Sequence, residues 1–229
     1  MPFSDRADAG RKLAAALARF REQRPIIFAL PRGGVVVAAE VAAALQMSLD
    51  LVLARKIGVP SQPELAMGAI ADGAEPVTVR NEDVIRLCGI SEREFQDVAD
   101  RERAELERRR ARYLGTRPAA AVAGRIAILI DDGVATGATT RAALRALRRR
   151  NPKRLVLAVP VAPVDTLSRL RREADEIVCL EEREDFGAIG CYYADFRQIA
   201  DEEVIAVLDR FPPPATARRA RGGNRPSNR

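Results

Sequence analysis

The stretch that decides the fold is Ile128-Leu-Ile-Asp-Asp-Gly-Val-Ala-Thr-Gly-Ala-Thr-Thr140. Its apolar start predicts a buried strand, and its small residues predict a turn that opens a helix. Such a turn presents unpaired backbone N–H groups and the positive end of the helix dipole, which together attract an anion. Glycine and alanine let a phosphate approach the backbone, and threonine hydroxyls add donors. The stretch therefore predicts a phosphate site at the end of a strand.

Two adjacent carboxylates, Asp131 and Asp132, stand between the predicted strand and the turn. Ionised carboxylates only accept hydrogen bonds, so this pair suits the hydroxyl groups of a sugar. Open α/β sheets bind their ligands at this edge, the carboxyl ends of the strands. The chain has no Gly-Lys-Ser/Thr and no Gly-x-Gly-x-x-Gly after a strand, which excludes a P-loop and a dinucleotide-binding fingerprint.

Outward from this stretch, helical and strand patterns alternate. This alternation predicts one α/β domain over residues 1–211, with a central, mainly parallel sheet flanked by helices. Ser91 and Glu94 form a capping-box pattern at the start of a long charged helix that reaches about Tyr113. Residues 55–75 are rich in glycine and proline, so we expect a long loop there, with at most a short strand at 67–70.

Composition narrows the chemistry. The 229 residues include no histidine, which excludes Ser-His-Asp, Cys-His and His-ligated zinc mechanisms. Three widely spaced cysteines suit neither a disulfide framework nor a zinc site. The first residues do not read as a secretory signal, and no apolar run is long enough for a membrane span. We therefore expect a cytoplasmic protein without a membrane partner.

The net charge of +6 is mostly a property of the C-terminal end. Residues 212–229 contain five arginines and no acid, and they predict a disordered basic tail. The rest of the chain is close to neutral. No helix-turn-helix pattern is present and few aromatics interleave with the tail arginines, so nucleic-acid binding is not expected.

Two further segments carry basic residues in glycine-rich surroundings. Leu30-Pro31-Arg32-Gly33-Gly34 follows the first predicted strand and opens a helix, so its backbone amides and Arg32 suit an anion. Lys56 is one of only three lysines and lies in the predicted loop at 55–75. A loop of that length inside a compact domain is often functional.

These segments together resemble the type I phosphoribosyltransferase family, over about residues 24–161. Their sequence is most similar to that of a bacterial branch of the family that is described only as phosphoribosyltransferase-like. The resemblance implies that the acid pair holds the ribose hydroxyls of phosphoribosyl pyrophosphate (PRPP). It also implies that Arg32, Gly33 and Gly34 meet the pyrophosphate. The 5-phosphate would bind Ala135, Thr136, Gly137, Ala138 and Thr139. Gly133 departs from the family pattern, which has an apolar residue there.

The same resemblance implies a magnesium-dependent transferase that moves the 5-phosphoribosyl group to a nitrogenous base or amine and acts as a homodimer. Arg32, Lys56, Asp131 and Asp132 would be its catalytic residues. Mg²⁺ would lie near the acid pair, bound through the ribose and pyrophosphate oxygens. Two alternatives stay open: a non-catalytic regulatory protein that binds PRPP or a nucleotide, and a phosphorylase acting in the reverse direction.

The acceptor is less defined. Ala135 stands where 6-oxopurine enzymes of the family carry an aspartate, which argues against hypoxanthine or guanine. The family's variable hood would cover about residues 181–200. Aromatic rings there could stack on a planar base or pack the hood onto the sheet; the candidates are Phe186, Tyr192 and Tyr193.

Overall fold

A computed structural model describes residues 1–73 and 76–211. In chain order its elements are α1 (Arg6–Leu17), β1 (Ile26–Ala29), α2 (Gly33–Leu45), β2 (Leu49–Leu51), β3 (Ala54–Val59), β4 (Gln62–Ala71), β5 (Val77–Arg80), α3 (Glu82–Leu87), α4 (Glu92–Leu114), β6 (Ile126–Ile130), α5 (Ala138–Arg148), β7 (Arg154–Pro163), α6 (Val164–Leu170), β8 (Glu176–Arg183) and α7 (Asp201–Asp209). Two 3-10 helices cover Ala18–Gln23 and Ile189–Tyr192. The predicted tail at 212–229 lies outside the described residues.

Five parallel strands form the main sheet in the order β2-β1-β6-β7-β8. β1 and β6 are buried along their whole length and carry only apolar side chains, as parallel strands covered on both faces do. Ala29 pairs with Ile130, so the chain leaves β1 and β6 side by side at one edge of the sheet. The predicted α/β fold with a mainly parallel sheet is confirmed.

Helices cover both faces of this sheet, and the strands alternate between two cores. Ile27 and Ile128 pack with α1, α2 and α7 on one face. Phe28 and Leu129 pack with α5 and α6 on the other face. Each face of the sheet therefore has its own apolar layer, which several helices share.

The prediction of a long loop over residues 55–75 is wrong. β3 and β4 form an antiparallel hairpin that turns at residues 60–61, and β5 completes a three-stranded second sheet. Register shifts on both sides of Gly58 mark a bulge, and a Cβ on Gly58 would lie 2.3 Å from the carbonyl oxygen of Pro63. Glycine and proline here serve an irregular hairpin, whereas in the sequence they read as loop residues. The short strand expected at 67–70 is part of β4.

Helix ends follow the predicted capping more closely than the predicted bounds. Ser91 caps α4, and its side chain and that of Glu94 form the reciprocal capping box. The alanine-rich pattern over residues 12–21 predicts a helix, whereas α1 begins at Arg6 and ends at Leu17. The short helix α3 was not predicted. Within the described residues no helix is long and apolar enough to cross a membrane. The hood assigned to 181–200 stays a prediction.

Candidate functional site

The turn between β6 and α5 has the geometry of an anion site. Gly137 caps the helix with a φ of +78°, a left-handed conformation that favours glycine, and it supplies no capping side chain. The first intrahelical bond runs from the N–H of Arg141 to the carbonyl of Gly137. The N–H groups of the first helical residues, Ala138, Thr139 and Thr140, therefore have no intrahelical acceptor and can meet an anion.

Neighbouring elements hold the turn in place. The N–H of Val134 donates to the carbonyl of Val161 on β7 at 3.0 Å. The hydroxyl of Thr166 on α6 donates to the carbonyl of Ala135 at 2.9 Å. A Cβ on Gly133 would lie 2.6 Å from a methyl carbon of Ile189, so the apolar residue usual at this position in the family has no room here. A fixed backbone presents its N–H groups without further ordering cost.

The acid pair is largely removed from water. Asp132 is buried, Asp131 is half-buried, and the N–H of Asp132 donates to Oδ1 of Asp131 at 2.9 Å. Burial, and next the charge of Asp132, raise the pKa of Asp131 well above its usual value. Burial also raises the pKa of Asp132, against the opposing effect of the Arg6 guanidinium. Two buried carboxylates side by side need a cationic partner to stay ionised.

Arg6 of α1 is that partner for Asp132. Its Nε donates to Oδ2 of Asp132 at 2.7 Å, and both side chains are almost fully buried. The guanidinium also donates to the carbonyl of Arg197 at 2.8 Å and lies 3.8 Å above the ring of Phe196. Sequence reasoning missed Arg6, because the two partners are 126 positions apart and no local pattern marks the arginine.

The structure brings the glycine-rich loop at residues 31–34 into contact with the acid pair. The N–H of Leu30 donates to the carbonyl of Ile130 at 3.0 Å, which joins the ends of β1 and β6. A Cβ on Gly33 would lie 1.8 Å from Oδ2 of Asp132, and one on Gly34 would lie 2.9 Å from the Cα of Asp131. Both glycines are therefore required for this approach.

Arg32 reaches away from the acid pair, toward helix α7. Its Nη1 lies 3.7 Å from Oδ1 of Asp201, and its side chain remains partly exposed. The hydroxyl of Tyr113 donates to the same oxygen at 2.5 Å, and Arg112 lies 3.2 Å from the other. The hydrogen bond from Tyr113 is the main cause that lowers the pKa of Asp201. Asp201 therefore stays ionised and holds Arg32 loosely; sequence reasoning did not identify it.

Lys56 belongs to the second sheet. Its Nζ donates to a carboxylate oxygen of Glu64 at 2.9 Å and to the carbonyl of Glu64 at 3.2 Å, across the β3–β4 hairpin. The Glu64 side chain is 96% exposed, so this pair is open to water. Within the described residues, no hydrogen bond connects Lys56 with Arg32. Neither a hydrogen bond nor an ion pair connects Lys56 with the acid pair. The structure brings the other predicted motifs together but not this one.

The three aromatic candidates divide into two kinds. Tyr193 is buried, with the rings of Phe3 and Phe196 at centroid distances of 5.3 and 5.0 Å. Its hydroxyl donates to the carbonyl of Asp132 at 2.5 Å, so it packs the site and is not free to stack on a base. This corrects its prediction as an acceptor residue. Phe186 and Tyr192 are half-buried and stack on each other at 5.3 Å.

The family model of the phosphoribosyl transferase domain matches residues 4–197. The chain belongs to this family. The match includes Arg6, the residues 31–34 loop, the acid pair and the whole turn before α5, whereas Asp201 lies beyond it. The phosphoribosyltransferase domain therefore contains every part of the donor site predicted from the sequence.

Relatives of this phosphoribosyltransferase domain are of two lengths. Proteins from two strains of Mycobacterium tuberculosis, CDC 1551 / Oshkosh and ATCC 25618 / H37Rv, are provisionally named as phosphoribosyl transferases and are 46% identical over 208 residues. That alignment covers 91% of this chain and 46% of each relative, so the chain spans about half their length. The crystal structure of TT1426 from Thermus thermophilus is similar with a TM-score of 0.77 and 44% identity, covering 93% of this chain and 100% of that one.

Proposed function

We propose that this domain transfers the 5-phosphoribosyl group of PRPP to a nitrogenous acceptor and releases pyrophosphate. The observation that carries the proposal is the contact between the residues 31–34 loop and the acid pair, beside the open N-terminus of α5. Three anion- or hydroxyl-binding groups thus lie within one small region. PRPP carries the matching groups: a 5-phosphate, two ribose hydroxyls and a pyrophosphate.

Each part of the site has a proposed role toward the donor. The backbone from Ala135 to Thr139 holds the 5-phosphate at the helix N-terminus. Asp131 accepts a hydrogen bond from a ribose hydroxyl, because its carboxylate has no ion-pair partner in residues 1–73 and 76–211, whereas that of Asp132 is held by Arg6. Asp132, held by Arg6, contributes through its position and its charge. The N–H groups of Gly33 and Gly34, with Arg32, hold the pyrophosphate.

The proposed reaction exchanges one bond at the ribose anomeric carbon. The bond from that carbon to the pyrophosphate oxygen breaks, its electron pair leaves with pyrophosphate, and the acceptor nitrogen forms the new bond from the opposite face. The nitrogen then loses its proton to pyrophosphate or water. Arg32 offsets the charge that develops on the leaving group, and Lys56 adds a second positive charge when the β3–β4 hairpin approaches the donor.

Magnesium suits this site through the donor's own oxygens. The described residues contain no group of three histidine, cysteine, aspartate or glutamate side chains arranged to hold a metal ion. Mg²⁺ keeps several waters and is commonly bound by one or two carboxylates together with substrate phosphates. Asp131 and Asp132 would hold it from the protein side. When bound, it would neutralise pyrophosphate charge and polarise the ribose oxygens.

The acceptor pocket is proposed for the segment that follows β8. Ile189 of this segment lies over Gly133, and Phe186 and Tyr192 of the same segment pack against the apolar cluster that contains Tyr193. Their stacked rings offer an apolar face for a planar base. Ala135 has no carboxylate for a purine N7, so we expect an acceptor other than hypoxanthine or guanine. The homodimer and the cytoplasmic location stay predictions.

A binding and turnover experiment tests the proposal. PRPP with Mg²⁺ is expected to raise the melting temperature of the full chain. Asp131→Asn is expected to weaken PRPP binding about tenfold or more, since it replaces a carboxylate acceptor with an amide in a half-buried site. Asp209→Asn, on the exposed end of α7, is the matched control. Pyrophosphate release is then followed over purines, pyrimidines and small amines.

The outcomes separate the alternatives. Absence of any stabilisation by PRPP would reject the donor assignment. Binding of PRPP without pyrophosphate release for any acceptor would favour the regulatory protein that senses PRPP. The Asp131→Asn, Asp132→Asn double variant extends the test to both carboxylates. Its circular dichroism spectrum shows whether it has folded, because Asp132→Asn also removes the partner of buried Arg6.

A further inference from the structure

A second charged cavity lies apart from the donor site. It has a volume of about 260 Å³ and lies between the edge strand β2, the end of β4, and helices α4 and α5. Five charged side chains line it: Asp50, Asp72, Arg110, Arg117 and Arg150. Its remaining walls are mainly apolar: Leu51, Val52, Leu114, Ala146 and Leu147. None of these residues has a role in the proposed transfer reaction.

Two of the charged groups are hydrogen-bonded to the surrounding backbone. Asp50 is buried, and its two carboxylate oxygens accept from the N–H of Leu51 at 2.9 Å and of Ala120 at 3.0 Å. Arg117 donates to three backbone carbonyls, which belong to Leu49, Leu208 and Phe211, at 2.8 to 3.3 Å. Arg117 thus joins β2 to the end of α7, and Asp50 joins β2 to the segment before β6.

The other three leave an excess of positive charge. Asp72 is buried, and its oxygens accept from the N–H of Leu53 at 2.8 Å and from Nη1 of Arg110 at 2.7 Å. Arg150 donates to the carbonyl of Ala120 at 2.5 Å. In residues 1–73 and 76–211 no carboxylate lies within ion-pair distance of Arg150. Asp72 thus pairs with Arg110, and Arg150 has no ion-pair partner among these residues.

We propose that this cavity binds a small organic acid with one carboxylate and an apolar body. A carboxylate between Arg110 and Arg150 would relieve the repulsion of the two guanidinium groups and accept their free N–H donors. The five lining groups carry a net charge of +1, which one bound anion neutralises. The apolar walls take up a hydrocarbon body, and the volume is that of a small ring compound rather than a nucleotide.

Benzoate is the probe, and benzyl alcohol is its uncharged counterpart of similar shape. Benzoate at about ten times its Kd is expected to raise the melting temperature by about 3 °C, with no comparable rise for benzyl alcohol. Arg150→Gln is expected to weaken benzoate binding, measured by calorimetry, about tenfold. The matched control is Arg149→Gln, which removes the same charge from an exposed neighbour and leaves the affinity unchanged.

A third variant fills the cavity without entering the core. Ala119 lines the cavity and is exposed, so Ala119→Phe is expected to block benzoate while the protein stays folded. Equal affinity in wild type, Arg150→Gln and Ala119→Phe would overturn the proposal, as would absence of benzoate binding.

The cavity proposal does not depend on the proposed transferase activity. PRPP stabilisation is measured in the same variants and is expected to be unchanged in Arg150→Gln and Ala119→Phe. Loss of PRPP binding in both would indicate general damage and would count against a separate site. Benzoate binding without PRPP binding in wild type would leave the cavity proposal standing and reject the donor assignment alone.

Discussion

Gly33 is a position at which one added methyl group would prevent the glycine-rich loop from contacting the acid pair of the proposed donor site. An added Cβ would lie 1.8 Å from Oδ2 of Asp132 and 2.8 Å from Nε of Arg6, and both of these side chains are buried. Gly33→Ala is therefore expected to lower the free energy of unfolding by about 2–4 kcal/mol and to weaken PRPP binding. Urea denaturation measures the first effect and calorimetry the second.

A matched glycine provides the control. A Cβ on Gly187 would meet no atom within 4 Å, and the residue is exposed. Gly187→Ala should therefore change the free energy of unfolding by no more than about 0.5 kcal/mol. If Gly33→Ala unfolded at the same urea concentration as Gly187→Ala, the close approach of the loop to Asp132 would be wrong.

Whether a site residue could be predicted depended on how far along the chain it lies from the residues that it contacts. The acid pair, the turn and its glycine follow one another within ten residues, so a single motif identifies them. Arg32 and its glycines form a second local motif. Arg6 precedes these motifs in the chain and contacts Asp132, and Asp201 follows them and contacts Arg32. Neither residue lies in a motif of its own. Their roles arise from packing, which a single sequence does not display.

Lys56 lies on the β3–β4 hairpin, so a prediction about Lys56 concerns this element. Lys56→Gln is expected to reduce the rate of pyrophosphate release about tenfold to a hundredfold, because it removes the positive charge that we propose offsets the charge of the leaving group. It is expected to leave stability nearly unchanged, since the Lys56–Glu64 pair is open to water. Steady-state kinetics at saturating PRPP and urea denaturation separate the two effects.

Two further variants test whether the effect belongs to the Lys56 position. Glu64→Gln removes the partner but keeps the lysine, so it should retain activity. Lys153→Gln removes one of the other two lysines, outside the donor site, and should leave the kinetics unchanged. An equal loss of rate in all three variants would contradict a role for Lys56 in the reaction.

At the scale of elements, the sequence predicts regular segments better than irregular ones. Strands β1 and β6 are continuous apolar runs, and their parallel pairing follows from the alternation of strands and helices. The hairpin contains a bulge at Gly58 and two prolines, Pro60 and Pro63, around its turn, so no two-residue alternation survives there. The buried run from Ala66 to Ala71 belongs to β4, which extends well beyond the four residues predicted.

At the scale of the whole molecule, the segment before α1 and the segment after β8 meet beside the acid pair. Phe3 pairs with Tyr193 in a parallel bridge, and the N–H of Ala194 donates to the carbonyl of Phe3 at 2.9 Å. Phe3 and Tyr193 form an apolar cluster with Val161 of β7. Arg6 of α1 joins these segments to Asp132. The stability of the fold and the state of the donor site are therefore linked through one ion pair.

This link predicts a large and specific coupling between Arg6 and Asp132. Arg6→Met leaves a carboxylate buried without its partner, so it is expected to lower the free energy of unfolding by about 3–5 kcal/mol. In the Arg6→Met, Asp132→Asn double variant neither charge remains, so the loss should be smaller than the sum of the single losses by about 1–3 kcal/mol. The exposed pair Arg86 and Asp83, treated as Arg86→Met and Asp83→Asn, should couple by no more than about 0.5 kcal/mol. If urea denaturation shows that the losses of unfolding free energy at Arg6 and Asp132 are additive, the ion pair does not link α1 to the acid pair as inferred.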